Sequence, residues 1–490
     1  MADPLKTGIA GLDDVLYGGL PPERMYLVQG EPGAGKTTLS MQFLLEGVNR
    51  GERAMYVTLS ETRKELEEIA HSHGWSLEGL SVVEVSSELE SDELETTLYE
   101  PAEVELGERM NNLLAEVDRV RPLRVVLDSC SELRLLAQGA LRYRRQILAL
   151  KRRLLALGST LLLVDNPPPD TPDVLLESVV HGVIRLEQLP PLYGAERRRM
   201  RVLKMRGLRY RGGFHDFIIR RGGVSLFPRL VAAEHYWDYA RDLVSSGRKE
   251  LDALLGGGPL RGTSMMLIGS AGSGKSALAS QYALAAAERG ERVAIFAFDE
   301  SVAMFRARGS SMGMDLDRHI ASGLLSIRQI DPAELSPGQF AHDVRTAVEN
   351  AGVQVVVLDS LNGYVNAMPQ EDYLALQLHE LLAYLGQRGV LTLATLVQHG
   401  LLSTESRASV DVSYLADTVV LIRPFEAQGK VRKALSVLKK RSGPHENSIR
   451  ELLLDRTGVH VGPVLAQFAG ILTGAPQYLG REDELAKEKR

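Results

Sequence analysis

GEPGAGKT at Gly30–Thr37 returns as GSAGSGKS at Gly269–Ser276, and this repeated glycine-rich segment decides how the rest of the chain is read. Both fit G-x-x-x-x-G-K-[ST]. In that pattern glycines let the backbone wrap so that several N–H groups converge on phosphate. The lysine reaches the β- and γ-oxygens, and the hydroxyl ligates Mg²⁺. A helix that follows presents its positive N-terminal end to the same anion. With 46 glycines among 490 residues, chance supplies about 0.03 such segments, so two of them between an apolar run and a helical pattern mark nucleotide sites. The residues assigned to ATP are Gly30, Gly33, Ala34, Gly35, Lys36, Thr37 and Thr38, then Gly269, Gly272, Ser273, Gly274, Lys275, Ser276 and Ala277. Thr37 and Ser276 are also assigned to Mg²⁺.

Further landmarks repeat in the same order. VTLSET at Val57–Thr62 answers FAFDES at Phe296–Ser301, VVLDS at Val125–Ser129 answers VVLDS at Val356–Ser360, and VLKMRG at Val202–Gly207 answers VLKKRS at Val437–Ser442. The spacing between copies stays near ~235 residues, with small drifts that loop insertions produce. The chain is therefore a duplication. A length of 490 residues suits two domains of about 240 each. The expected boundaries are 1–230, a linker at 231–243, a second domain at 244–475 and a charged tail at 476–490.

Within each copy, short apolar runs such as Met25–Gln29, Ala54–Leu59, Leu123–Leu127 and Thr160–Val164 alternate with helical patterns at Lys36–Val48 and Tyr143–Leu157. That alternation, with the two glycine loops, predicts an α/β fold, two tandem P-loop domains, each a mostly parallel central sheet flanked by helices. The closing parts, Val183–Phe227 and Val419–Leu454, carry short β-like runs between glycine turns and predict an antiparallel edge.

A carboxylate that holds Mg²⁺ through the phosphate site belongs at the end of a buried apolar strand. Asp128 and Asp359 each stand there. Hydrolysis also needs a group to orient or deprotonate water. Glu61, and Asp299 with Glu300, follow the strand after the P-loop helix, and parallel strands deliver their ends to one rim. The competing reading of these acids is as carboxylates at helix N-termini, favoured by the dipole.

Bulk properties narrow the function. Composition is 44% apolar and 24% charged, as in a globular protein, and no apolar run approaches the length of a membrane span. The start MADPLKTGIAGLDD has no secretory-signal character, and the single Cys130 fits a reducing interior, so a cytoplasmic location is expected. A net charge of −6 from 57 basic and 63 acidic residues weighs against nucleic-acid binding.

Taken together, the two P-loops, the GLD and ELD lead-ins, the acids after the second strand, V-L-D-S and the K-x-R motifs resemble the KaiC family of circadian-clock ATPases, within the RecA-like P-loop superfamily. The resemblance runs from LKTGIAGLDDVLYGGLP to FAGILTGAPQYL. It implies a homohexamer of two stacked rings with ATP between neighbouring subunits. It also implies that Lys204 and Arg206, and Lys439 and Arg441, reach the ATP of the adjacent subunit. An arginine delivered in trans neutralises charge developing on the γ-phosphate. The competing reading is an inert, solvated edge strand. Arg197–Arg199 read as a solvated or interface face.

The family's second domain carries autokinase and autophosphatase activity toward a Ser-Thr pair. The matching positions are Ser413 and Tyr414. Serine is retained, whereas tyrosine carries its hydroxyl farther from the backbone, so Ser413 is the favoured phosphosite. The resemblance makes Asp299 the base for that transfer, one methylene shorter than the family's glutamate. Ser60 occupies the first acid position of the first copy, leaving Glu61 alone. The tail LGREDELAKEKR is shorter than the one the activator KaiA recognises, which argues against that regulator while leaving Kai-type or signalling partners open.

Two other classes were weighed against this ATPase and autokinase switch. A RecA-like DNA motor needs basic pore loops with stacking aromatics, and Glu132–Ala140 and Leu361–Gln370 carry one arginine and one tyrosine between them. An assembly scaffold would use ATP for ring formation rather than turnover. His71 and His73 lack further ligands at metal spacing. His399 is either a γ-phosphate sensor or a loop residue.

Overall fold

A computed structural model of the chain describes residues 3–85, 101–137, 139–166, 174–190, 194–366, 373–397 and 415–480. Its contacts divide into two units, Met1–Arg229 and Leu230–Arg490.

The first unit is built on β1 (Met25–Gly30), β2 (Ala54–Thr58), β3 (Leu80–Glu84), β4 (Arg124–Asp128), β5 (Thr160–Asp165), β6 (Gly182–Leu189), β7 (Arg197–Met205), β8 (His215–Arg220) and β9 (Gly223–Phe227). They form one sheet in the order β3-β2-β4-β5-β1-β6-β7-β8-β9. The first six in that order run parallel, and β7, β8 and β9 add the expected antiparallel edge. The central β1, β2, β4 and β5 are buried along their whole length, as strands covered on both faces must be. Alternate residues enter two cores: Tyr26, Val28 and Tyr56 pack on one face, and Leu27, Met55 and Val57 on the other.

The second unit repeats this with β10 (Ser264–Gly269), β11 (Arg292–Ala297), β12 (Leu325–Gln329), β13 (Val353–Asp359), β14 (Leu391–Val397), β15 (Thr418–Ala427), β16 (Lys430–Lys440), β17 (Arg450–Asp455) and β18 (Gly458–Val464). The order β12-β11-β13-β14-β10-β15-β16-β17-β18 is the same as in the first unit. Asp455 and Gly458 close the β17–β18 hairpin, with Asp455 accepting from the Thr457 amide at 2.7 Å and Gly458 at φ 113°. The segment 231–243, expected as a linker, lies against this second unit. Leu230 and Ala232 join its core, and the Ala232 amide donates to Glu380 at 3.1 Å.

One difference between the copies lies deep in the packing. Arg124, at the start of β4, is fully buried. Its guanidinium pairs with Glu52 at 2.5 Å and donates to the carbonyls of Lys6 at 2.6 Å and Phe43 at 2.9 Å. Gly47, on the helix Lys36–Asn49, makes room for it: a Cβ there would lie 2.6 Å from Arg124 Cδ. By the β2–β4 and β11–β13 registers, the second copy has the apolar Val355 in that place, and Ala286 where Gly47 stands. A buried, hydrogen-bonded cation and a small neighbour have been exchanged for a valine and an alanine. Gly47→Ala is therefore expected to lower the unfolding free energy of the first unit by about 1–3 kcal/mol through overpacking. Placed on an Arg124→Val background, the same change should cost less than half as much. Denaturant unfolding of the four variants checks this, and strictly additive losses would show the pair is not coupled.

Candidate functional site

Each P-loop leaves the C-terminal end of the central strand of its sheet. Gly30 and Gly269 are fixed by crowding, since a Cβ would stand 2.7 Å from the Leu186 carbonyl and 2.3 Å from that of Ile422. Gly33, Gly35, Gly272 and Gly274 have φ between 74° and 108°, a region open to glycine. Gly35 and Gly274 cap the following helices, Lys36–Asn49 and Lys275–Glu288, whose free N–H groups face the loop. Lys36 Nζ donates to the carbonyls of Gly30 and Glu31, both at 2.9 Å, and Lys275 Nζ to those of Gly269 and Ser270 at 2.9 and 2.8 Å. Burial lowers the pKa of both lysines. Ala34, Thr38, Ser273 and Ala277 are buried in or just behind the loops. The buried hydroxyls of Ser270 and Ser273 have no hydrogen-bond partner among the described residues. Folded lysines, glycine-shaped cradles and unanswered donors are what a polyphosphate would satisfy.

The carboxylates gather on the same rim. Asp128 Oδ2 accepts from Thr37 Oγ1 at 2.9 Å and from the Tyr56 hydroxyl at 2.6 Å. Asp359 Oδ1 accepts from Thr395 Oγ1 at 2.5 Å. A hydroxyl beside an aspartate at a phosphate cradle is an oxygen donor set of the kind Mg²⁺ takes, so Thr37 with Asp128 fits that ion, whereas the hydroxyl that meets Asp359 is that of Thr395 and not that of Ser276. Among the described residues no cluster of three or more His, Cys, Asp or Glu is arranged to hold a metal. His73 meets the Arg220 carbonyl at 3.1 Å and stacks near Trp75.

The two copies diverge at the acids. Glu61 precedes the N-cap Thr62, whose capping box is completed by Glu65, so the helix N-terminus is already served without Glu61. Buried Glu61 Oε2 has no partner. Burial, and then the charge of Asp128, push its pKa up to about 7. Glu300 stands before the N-cap Ser301 in the same way, but its carboxylate is ion-paired with Arg308. Asp299 accepts from Ser360 Oγ at 2.5 Å.

Pairwise registers locate the K-x-R cations. Lys204 pairs with Val183, and Lys204 Nζ donates to the carbonyls of Glu177 and Val180 at 2.6 and 2.9 Å. The Arg206 amide donates to the His181 carbonyl, and its guanidinium to Ser178 at 3.1 Å. His181 in turn donates to Met25, the first residue of β1. In the second unit Lys439 Nζ donates to the Ala416 carbonyl at 2.7 Å, and Arg441 lies 3.6 Å from Asp417, which is hydrogen-bonded to Ser264 at the start of β10. All four cations thus sit at the entry of the central strand, whereas the glycines lie past its exit. Five residues of strand separate the two ends by about 16 Å, farther than a lysine or arginine side chain extends. Arg206 and Arg441 are exposed. Arg198 and Arg199, both half-buried, pair with Glu196 and Glu187 at 2.6 and 2.8 Å.

A family model described as "ATPase: KaiC" matches residues 5–231 and again 244–466. The chain belongs to the KaiC ATPase family. Membership of that family implies nucleotide binding. Among curated relatives, the circadian clock oscillator protein KaiC of Thermostichus vulcanus is 27% identical over 99% of this chain and 94% of the relative. That of Synechococcus elongatus is 28% identical over 96% and 91%. The circadian clock protein KaiC3 of a Synechocystis strain is 27% identical over 98% and 96%.

Several expectations meet the structure differently. Ser413, Tyr414 and His399 lie outside the described residues. Most of Glu132–Ala140 falls in the helix Cys130–Leu136 and the start of Ala140–Ala156, and Leu361–Asn366 is also helical. Among the described residues no helix is long and apolar enough to cross a membrane. Tyr56, Thr395 and Arg308 were missed as site residues because each is supplied by an element whose pattern announces only packing.

The raised pKa of Glu61 gives a signed expectation for the nucleotide-free KaiC-family chain. Its folded pKa lies above the ordinary 4.5, so the folded state binds the extra proton and stability falls as pH rises from about 4.5 to 7. Glu61→Gln should flatten that part of the first unit's stability profile and make the variant relatively more stable at pH 8. An unchanged slope in denaturant titrations across this window would contradict the assignment.

Proposed function

We propose that this chain is an ATP-hydrolysing, homohexameric KaiC-type switch. Each ATP, with Mg²⁺, binds one P-loop and is completed by the Lys-x-Arg pair of the same unit in a neighbouring chain. The observation that carries the reading is the separation of cradle and cations to opposite ends of the central strand, in both units. An exposed arginine that cannot serve its own phosphate is placed to serve another's. In the first unit Glu61, unpaired and with a pKa near neutrality, takes the proton of the attacking water. Lys36 and the loop amides hold the phosphates, Thr37 and Asp128 hold Mg²⁺, and Lys204 and Arg206 meet the γ-phosphate from the neighbour. Mg²⁺, when bound, would supply neutralisation of the polyphosphate's charge.

The second unit uses Lys275, Ser276, Asp359, Glu300, Lys439 and Arg441 in the same roles. Asp299, beside Ser360, has the chemistry to accept a hydroxyl proton, and Ser413 is the acceptor we assign for autophosphorylation, with autophosphatase return; Tyr414 is the weaker candidate. As in the relatives named as clock proteins, such slow phosphoryl chemistry would act as a timing or signalling switch. Kai-type partners belong to this proposal.

Subunit mixing tests the shared site. On a Glu61→Gln background, Lys275→Ala and Arg441→Ala subunits should each lose turnover at the second site by on the order of 10³-fold. In an equimolar mixture about one quarter of interfaces join an intact cradle to an intact arginine, so turnover should return to about that fraction of the parent. A mixture as inactive as its components overturns the trans arrangement. Incubation with γ-labelled ATP should place label at Ser413 and none there in Lys275→Ala; label confined to other residues, or absent, overturns the autokinase assignment.

A further inference from the structure

Copy against copy, the helix Val302–Ser311 carries one charge whose counterpart is apolar. Arg308 occupies the place that Ile69 holds on the helix Arg63–Ser72 of the first unit. Its guanidinium pairs with Glu300 and stands 4.0 Å from Asp359 Oδ2, between the acid assigned to water and the acid assigned to Mg²⁺. The Phe305 ring lies under it, 4.5 Å from the guanidinium carbon, and Phe305 is fully buried. Arg308 Nε and Nη2 are buried without a hydrogen-bond acceptor among the described residues. A guanidinium offers five donors in a fixed fork, and leaving buried donors unanswered is costly.

We propose that Arg308 is a positioning residue of the second site that responds to the γ-phosphate. With the phosphate absent it holds Glu300. When the phosphate arrives, its fork turns to those oxygens and Glu300 is released. This rests on the reading of the second P-loop as an ATP site.

Three arguments support it. A carboxylate whose oxygen faces a guanidinium is neutralised and occupied, and cannot take a proton from water until the pair opens. A terminal phosphate, with more charge than one carboxylate and three oxygens in fork geometry, is the stronger acceptor for the same cation. The flat Phe305 face lets the planar group swing while staying covered. ADP has no γ-phosphate, so it leaves the pair closed. The first unit, with Ile69 in this position and Glu61 unpaired, has no such restraint.

Equilibrium competition against a fluorescent nucleotide tests the proposal in the full chain carrying Lys36→Ala, so that the second site is read alone, with Mg²⁺ and with EDTA. Arg308→Ile should weaken ATP binding about tenfold and leave ADP binding within about twofold, removing most of the preference for ATP. Arg308→Lys should lie between. Glu300→Gln, which frees the guanidinium, should tighten ATP binding severalfold and leave ADP unchanged. A structural ion pair would instead weaken both nucleotides together in all variants, and that result overturns the proposal, as does Arg308→Ile binding ATP like its parent. If Arg308→Ile fails to fold, the opposite displacements by Arg308→Lys and Glu300→Gln still decide it. A parent that binds neither nucleotide refutes the ATP site itself, a failure distinct from that of Arg308.

Discussion

Parallel pairing of the central strand with both neighbours is the constraint on which the rest depends. Because β1 lies between β5 and β6, and β10 between β14 and β15, all running the same way, every strand-ending residue of that layer is delivered to one rim. The glycine loop, the Asp128 or Asp359 carboxylate and the acids after β2 or β11 converge there without any long-range motif having to specify it. The same geometry forces the residues after β7 and β16 to the other end, since those strands run antiparallel to β6 and β15. On the proposed roles, a single chain cannot bring its two halves of the chemistry together, and assembly would be the condition for a complete site.

The two copies show how far a duplicated frame drifts while its topology stays. Strand order is identical, yet the interior of the first unit keeps a buried arginine where the second has valine. Arg124 is tolerated because its charge is met by Glu52 and two carbonyls, and because Gly47 leaves room. A buried charge with every donor answered can be replaced by apolar packing at little net change, provided that the small neighbour changes with it. The frame is therefore maintained by matched pairs rather than by fixed residues.

Much of this was legible in the sequence because the decisive signals are local. The cradle is eight contiguous residues, the strands are short apolar runs, and repetition corrected for the weakness of each single match. The parallel core and antiparallel edge follow from the same patterns. What could not be read is contact between elements. Nothing in VTLSE or VVLDS says that Tyr56 would reach Asp128, because period-2 alternation marks Tyr56 only as inward-facing. The partnering of Glu300 by Arg308 depends on the short helix Val302–Ser311 bringing Arg308 back to the acid that precedes it. A lone arginine opposite an isoleucine in the other copy was the available hint, though only a completed fold says what it touches.

That pairing bears on how one chain can hold two phosphate sites without making them equivalent. The loops are nearly superposable in chemistry, with the same lysine bridging the same two carbonyls. A difference in how readily each site activates water must then come from the acid. Glu61 is left in a poorly solvated place near another carboxylate, where its proton is held up to about pH 7 and no cation competes for it. Glu300 stands at the corresponding place before its helix but faces a guanidinium. On the proposed roles, one substitution on a neighbouring helix separates a site with a ready base from one whose base must first be uncovered. The divergence costs the fold little, because an arginine stem covers apolar surface much as isoleucine does. It is at such positions, one layer out from the phosphate and free of the demands of the cradle, that duplicated ATPase units can acquire unequal rates.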